Sequence, residues 1–305
     1  MNRFAVAIAT LTLTAAAALA DSFAASVVSY SPGTTPATRS YTNDFWATVG
    51  DPVLLSNPTT ALGKPATFVV EPYQTGADRI VSPFIPPANE DQIVSIGKGG
   101  QITLRLNNYA LVGAGREIGL FTNTLLFDTW VETPPGSWNY VPQGIVASPL
   151  TASGVHDVVV DVSEDGLAWT SLGSVTVGMI TNPFLNSATP YAASTAGLIE
   201  ADYAKPFAGA LDDFAGKTYA EIKAALDGSA GGTWLDLSAT GLTQVGYVRV
   251  SIPADDPSAA PHFELDAVSV NGALTGGTVP APEPGTLALL ALGACLLRRR
   301  TGRQG

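Results

Sequence analysis

The stretch from Val155 to Leu172 constrains the fold of this chain more than any other. Val155 to Val162 is dominated by β-branched residues, Ser163-Glu164-Asp165-Gly166 supplies a turn, and Leu167-Ala168-Trp169-Thr170-Ser171-Leu172 returns. Branched side chains suit a pleated surface, so two such runs across a Gly-containing turn read as an antiparallel hairpin. An isolated hairpin is marginal in water and needs a wider sheet. Gln101-Ile102-Thr103-Leu104-Arg105-Leu106 supplies one, because its alternation puts Ile102, Leu104 and Leu106 on one face. Ile118 to Phe127 is a further apolar run closed by Trp130, and more strands are expected at 233–237, 245–252 and 262–270. One helix interrupts them. Thr218 and Glu221 stand at capping-box spacing ahead of Ile222, Ala224, Ala225 and Leu226, with Asp227-Gly228 as the stop. Ser22 to about Glu90 is rich in Pro, Thr and Ser, and short runs such as Ala66 to Val70 are expected as edge strands or loops packed on a sheet. The expectation is all-β: an antiparallel sandwich with one short helix, occupying 21–272 with its core at about 93–271.

The two ends differ from this body. Met1-Asn2-Arg3, an uncharged run from Phe4 to Ala20, and small residues Ala18 and Ala20 before Asp21 have the form of a secretory signal peptide at 1–20. At the other end, Gly276-Gly277-Thr278-Val279-Pro280 suggests a flexible linker over 273–281. Pro282-Glu283-Pro284-Gly285 follows, then twelve uncharged residues from Thr286 to Leu297, expected as a hydrophobic helix, then Arg298-Arg299-Arg300. The prolines cannot propagate a helix beyond its first turn, and the arginines stop translocation. At about 1.5 Å per residue the apolar run reaches only about 18 Å, against about 30 Å of hydrocarbon. Such a segment suits transient rather than lasting membrane residence.

This tail, from Pro282 to about Arg303, resembles the PEP-CTERM protein-sorting tail. With the signal peptide pointing to export by the Sec machinery, the resemblance implies a transient stay in the inner membrane of a Gram-negative-type bacterium. It further implies recognition by an exosortase-type membrane peptidase, cleavage near Pro282-Glu283-Pro284, and delivery of the body to the cell surface or extracellular matrix.

Charge bounds the partners of the body. Between the terminal segments lie 25 of the 26 acidic and 10 of the 15 basic residues, a net charge near −15. Nucleic acid is excluded as a partner, since phosphate binding depends on Lys and Arg. The only cysteine, Cys295, lies in the tail, so the body has no disulfide and no thiolate metal site.

The body resembles the galactose-binding-like jelly roll of discoidin-type domains, and more closely the exported surface proteins that carry the same tail. The residues that carry this are the strand Gln101–Leu106 after Gly99-Gly100, Val158 to Trp169, Gly246-Tyr247-Val248-Arg249-Val250, and Phe263-Glu264-Leu265-Asp266-Ala267-Val268. The disulfide usual in discoidin domains is missing, no ligand-binding loop matches residue by residue, and the insert from Ile180 to Gly232 departs from the pattern.

Candidate chemistry is sparse. Asp161-x-Ser163-x-Asp165-Gly166 imitates a calcium loop but has Leu172 where a bidentate Glu is required, so it reads as a turn. Gly216-Lys217-Thr218 lacks the upstream glycine of a phosphate loop and reads as a helix start. His156 and His262 have no His or Cys at ligand spacing and read as strand-end residues. Glu264 and Asp266 share one face of their strand, with Asp212-Asp213 and Asp255-Asp256 in loops. Such hard oxygen donors suit Ca²⁺, against the plainer reading of a solvated acidic face. Trp130, Trp138, Trp169, Trp234, Tyr140 and Tyr191 are the aromatic residues available to stack on sugar. Trp169 and Trp234 are expected in strands and in the core, and Trp138, in a Pro-Gly loop, is the exposed candidate. The expected function is a non-catalytic structural or adhesive protein with extracellular polysaccharide as a partner. The alternative is a secreted carbohydrate-active enzyme that uses a carboxylate pair.

Overall fold

The computed structural model describes residues 22–39, 52–70, 78–113, 115–137, 140–148, 150–257 and 262–281. The signal-peptide residues Ala18 and Ala20, Trp138, and the tail residues Pro282, Glu283, Pro284, Arg298, Arg299 and Arg300 lie outside them. Among the described residues no helix is long and apolar enough to cross a membrane.

The chain is mostly β, with one α-helix among the described residues. In chain order the principal strands are β1 (Ala24–Ser31), β2 (Val94–Gly97), β3 (Gln101–Leu111), β4 (Ile118–Thr122), β5 (His156–Ser163), β6 (Thr170–Val177), β7 (Thr233–Leu235), β8 (Gln244–Ser251), β9 (His262–Val270) and β10 (Thr275–Thr278). The helix α1 is Tyr219–Leu226. The larger sheet runs β1-β3-β8-β5-β6 with β10 also on β3, and the smaller runs β7-β4-β9-β2; every pairing is antiparallel.

The two sheets share one core, which is what makes them a sandwich. Ile102, Leu104, Leu106, Val158, Val160, Val162, Val248 and Val250 come from the larger sheet; Val94, Ile96, Ile118, Leu120, Phe263, Leu265 and Val268 come from the smaller. Each such side chain contributes about 1.5–3 kcal/mol on burial, so the alternation along β3 and β5 settles which face turns inward.

The β5–β6 hairpin forms with a longer turn than expected. The Asp165 carboxylate accepts from the amides of Leu167 (2.8 Å) and Ala168 (3.0 Å), which folds both residues into the loop. The ladder therefore resumes at Thr170, and Trp169 precedes the strand rather than lying in it. Gly166 adopts φ +77°, and a Cβ there would stand 3.2 Å from the Tyr247 ring. Asp161, first residue of the supposed calcium loop, binds Arg249 across the strands at 2.8 Å, and the Arg249 guanidinium lies 4.3 Å from the Trp169 ring centre.

Residues expected as a linker belong to the sandwich. β10 pairs with β3 (Thr275 opposite Ala110, Thr278 opposite Asn108), and Val279 is buried in the main core. The Val279 amide donates to Asn107 O (2.9 Å) and its carbonyl accepts from Arg105 Nη1 (2.8 Å). Glycine-rich sequence reads as flexible, yet here it forms a strand: Gly276 packs beside Leu111, where a Cβ would stand 2.8 Å from Cδ2, while Gly277 has open space around it.

The insert 180–232 builds two further clusters against the sandwich. In one, Ile180, Phe214, Tyr219, Ile222 and Leu226 pack with Phe84, Leu126 and Val146. In the other, Ala201, Tyr203 and Ala230 pack with Phe23, Phe121, Trp234 and Ala267. Helix α1 starts at the expected capping box, with Glu221 N donating to Thr218 Oγ1 and Thr218 N to Glu221 Oε2; it stops at Asp227 in the left-handed region.

Candidate functional site

Strand β9 carries the two carboxylates that the sequence offered for Ca²⁺. The smaller sheet does not leave them on an open face. Asp266 is fully buried and accepts from the Ala66 amide with both oxygens, at 3.1 and 3.2 Å. Burial pushes its carboxyl up to about 8, only partly opposed by that amide. Glu264 takes different partners: Asn123 Nδ2 at 2.7 Å and His262 Nε2 at 3.4 Å. Burial raises its carboxyl as well, against the pull of His262 and Asn123. The solvated-face reading therefore fails for both residues. Among the described residues, no group of three or more His, Cys, Asp or Glu is arranged to hold a metal ion. Asp212 and Asp213, expected in a loop, lie in a short 3-10 helix, Leu211–Phe214, where Asp213 accepts from the Ala210 amide (2.8 Å), while Asp255 and Asp256 line a groove.

That groove, about 840 Å³, opens at one end of the sandwich and brings together residues that the sequence kept apart. His156, at the start of β5, lines the groove; His262, at the start of β9 in the opposite sheet and not part of the groove lining, has its ring centre 6.4 Å away. His156 also meets the Phe263 ring edge-on at 6.2 Å. Burial and then the neighbouring His262 lower the His156 imidazole below the usual histidine range, opposed by Asp256 and Asp157. Asp157, Ser174, Thr176, Asp255 and Asp256 complete the polar wall, and Thr176 Oγ1 donates to Asp157. The pairing of the histidines follows from sheet packing, and no spacing in the chain signals it.

The aromatic residues separate cleanly. Trp234 is buried, with its indole N–H donating to Gly231 O (2.8 Å), and Trp169 is half-buried over Arg249. Tyr191 donates to Asp128 Oδ2; burial first, and then that bond, raise its phenol. Trp130 and Tyr140 lie instead on a two-stranded ribbon, Asp128–Glu132 with Tyr140–Val146. Trp130 faces Pro142, Glu132 faces Tyr140, and Val131 faces Val141. Paired residues share a face, so Trp130, Glu132, Tyr140 and Pro142 line one side of the ribbon and Val131 with Val141 the other. Trp130 is 56% exposed and Tyr140 50%, with Val131 at 45% and Val141 at 40%.

The base of the ribbon is held firmly. Asp128 accepts from the amides of Gly144 (2.9 Å) and Ile145 (2.8 Å). Val146 is buried in the cluster around α1, and its amide donates to Lys217 O at 2.9 Å. The insert thus has a definite role: it braces the base of a ribbon whose residues Trp130, Val131, Tyr140 and Val141 are exposed. Trp138, the exposed candidate from sequence, falls between the two ribbon strands and outside the described residues.

Residues 280–300 match the PEP-CTERM protein-sorting motif. No curated protein matches the chain. The motif supports an exported protein that is anchored through its C-terminal tail and then processed by an exosortase-type peptidase. It starts at Pro280, directly after buried Val279, so sorting signal and sandwich adjoin without a spacer.

Proposed function

We propose that the protein is a non-catalytic, jelly-roll-type sandwich of galactose-binding-like character that serves as a structural or adhesive component at the cell surface or in the extracellular matrix. It is delivered there through Sec export and exosortase-type processing, and it binds polysaccharide. The observation that carries the binding reading is the exposed Trp130–Tyr140 face on a braced ribbon. A pyranose ring has an apolar C–H face that packs on an aromatic ring while its hydroxyls stay wet, the arrangement that exposed Trp and Tyr favour. Large apolar side chains clustered on an exposed element mark interaction sites more often than accident. A body of this negative charge selects neutral or amino-sugar polymers over polyanions.

The test is a glycan array probed with residues 22–281 and with Trp130→Ala/Tyr140→Ala. Binding by the first and its loss in the second support the reading; equal binding by both sinks it. One observation favours a second reading, as a carbohydrate-active enzyme: the carboxylates Asp157, Asp255 and Asp256 line the large groove. Release of reducing sugar that disappears in Asp157→Asn or Asp255→Asn would establish that reading in place of the first.

A further inference from the structure

The junction between sandwich and sorting motif has a mechanical consequence. Three contacts hold the last described residues: the Val279 amide on Asn107 O (2.9 Å), Arg105 Nη1 on Val279 O (2.8 Å), and the Tyr247 hydroxyl on Pro280 O (3.4 Å). Arg105 is itself tied to β1, through Ser26 Oγ at 3.1 Å. The Val279 side chain sits in the main core, where a Cβ on Gly246 would meet its Cγ1 at 3.0 Å. Pro280 and Ala281 are exposed. Four residues, Pro282 to Gly285, then separate the body from the apolar run that starts at Thr286. Even fully extended, the chain from Ala281 to Thr286 spans at most about 17 Å.

We infer that β10 and Val279 form a latch that sets where and how fast the tail is cut: the cut falls C-terminal to Ala281, the latch remains in the mature protein, and its docking slows processing. This rests on the exosortase-type sorting reading. While the latch is closed, the folded body lies within a few residues of the membrane, and a membrane-embedded peptidase must reach its site beneath that bulk. Opening the latch releases residues 275–281 as extra tether. Access to a tethered site rises steeply once the tether is long enough to span the gap. A body that has not yet folded around Val279 would be cut sooner, so the latch also makes processing report on folding.

The experiment follows the full chain by pulse-chase in a bacterium that carries an exosortase-type peptidase, with mass spectrometry of the mature C-terminus. Three variants are compared with wild type: a ten-residue Gly-Ser spacer after Ala281, Arg105→Ala/Val279→Ala, and Pro282→Ala/Pro284→Ala. Spacer and latch variants should be processed severalfold faster, and the wild-type terminus should fall after Ala281. The spacer variant leaves every sandwich contact in place, so misfolding of the latch variant cannot mimic its result. Wild-type rates in the spacer variant, or a mature terminus upstream of Val279, overturn the latch. If wild type and the Pro282→Ala/Pro284→Ala variant both retain the tail, the sorting reading itself fails and the latch with it.

Discussion

Two hairpins in this protein put apolar residues to opposite uses. In β5–β6, Val158, Val160 and Val162 turn inward and disappear into the shared core, while Asp157 and Asp161 face out and take Thr176 and Arg249 as partners. In the ribbon, Trp130 and Tyr140 occupy one face and Val131 and Val141 the other, and all four are exposed. The ribbon is nevertheless no loose end, because Asp128, Val146 and Lys217 O hold its base. Residues that fold a protein are recognised by what they bury. Residues held in place yet left about half exposed are available to a partner.

That contrast breaks most directly by placing the same charge in both hairpins. Val160→Asp puts an unpaired carboxylate in the core and should leave residues 22–281 unfolded, a cost of several kcal/mol that matches the whole stability of many domains. Val131→Asp on the ribbon should change stability by no more than about 0.5 kcal/mol. Urea denaturation of the two variants decides; similar losses would mean that the ribbon is structural after all.

The second prediction separates the sheets by pH. Burial raises the folded-state value of Asp266 to about 8 from 3.8, so between those values the folded state holds a proton that the unfolded state has released. The associated stability is complete below about pH 3.8 and is lost as pH rises through about 8. Its slope reaches at most about 1.4 kcal/mol per pH unit. Asp266→Asn keeps an acceptor for the Ala66 amide and should flatten this dependence relative to wild type. Parallel profiles would contradict the burial of Asp266, and ribbon variants should leave the slope unchanged.

A smaller effect is expected at the joint between the two regions. Asp128→Ala removes the acceptor for two backbone amides and should cost about 1–3 kcal/mol. Hydrogen exchange should speed first at Gly144 and Ile145, with β5–β6 still protected. Uniform acceleration would show that ribbon and sandwich unfold as one unit. The smallest change in stability belongs to Trp130→Ala, within about 0.5 kcal/mol by thermal melting. If polysaccharide is the partner, this variant should lose most of the measured affinity.

The parts legible in the sequence were those encoded by neighbours along the chain. Thr218 and Glu221 announced α1 because a capping box needs only residues three apart. Ile102, Leu104 and Leu106 announced the inner face of β3 because strand sides alternate every residue. The span 262–270 was found intact as β9, and the order of proline motif, apolar run and arginines identified the sorting signal. The site was less legible. The sequence already assigns Trp169 and Trp234 to strands and core and makes Trp138 the exposed candidate, but only the ribbon register and measured exposure single out Trp130 and Tyr140.

What the tertiary structure alone decided depends on partners distant in the chain. β10 is a strand because Asn108 and Ala110 lie beside it; by composition it reads as a linker. Asp266 is buried because the Ala66 segment crosses over it, and His156 meets His262 because two sheets close at one end. Local pattern fixes which residues want a helix, a strand or a membrane, since those preferences act over a few bonds. Burial, pairing and exposure are set by whatever the folded chain brings alongside, and no local period carries that information.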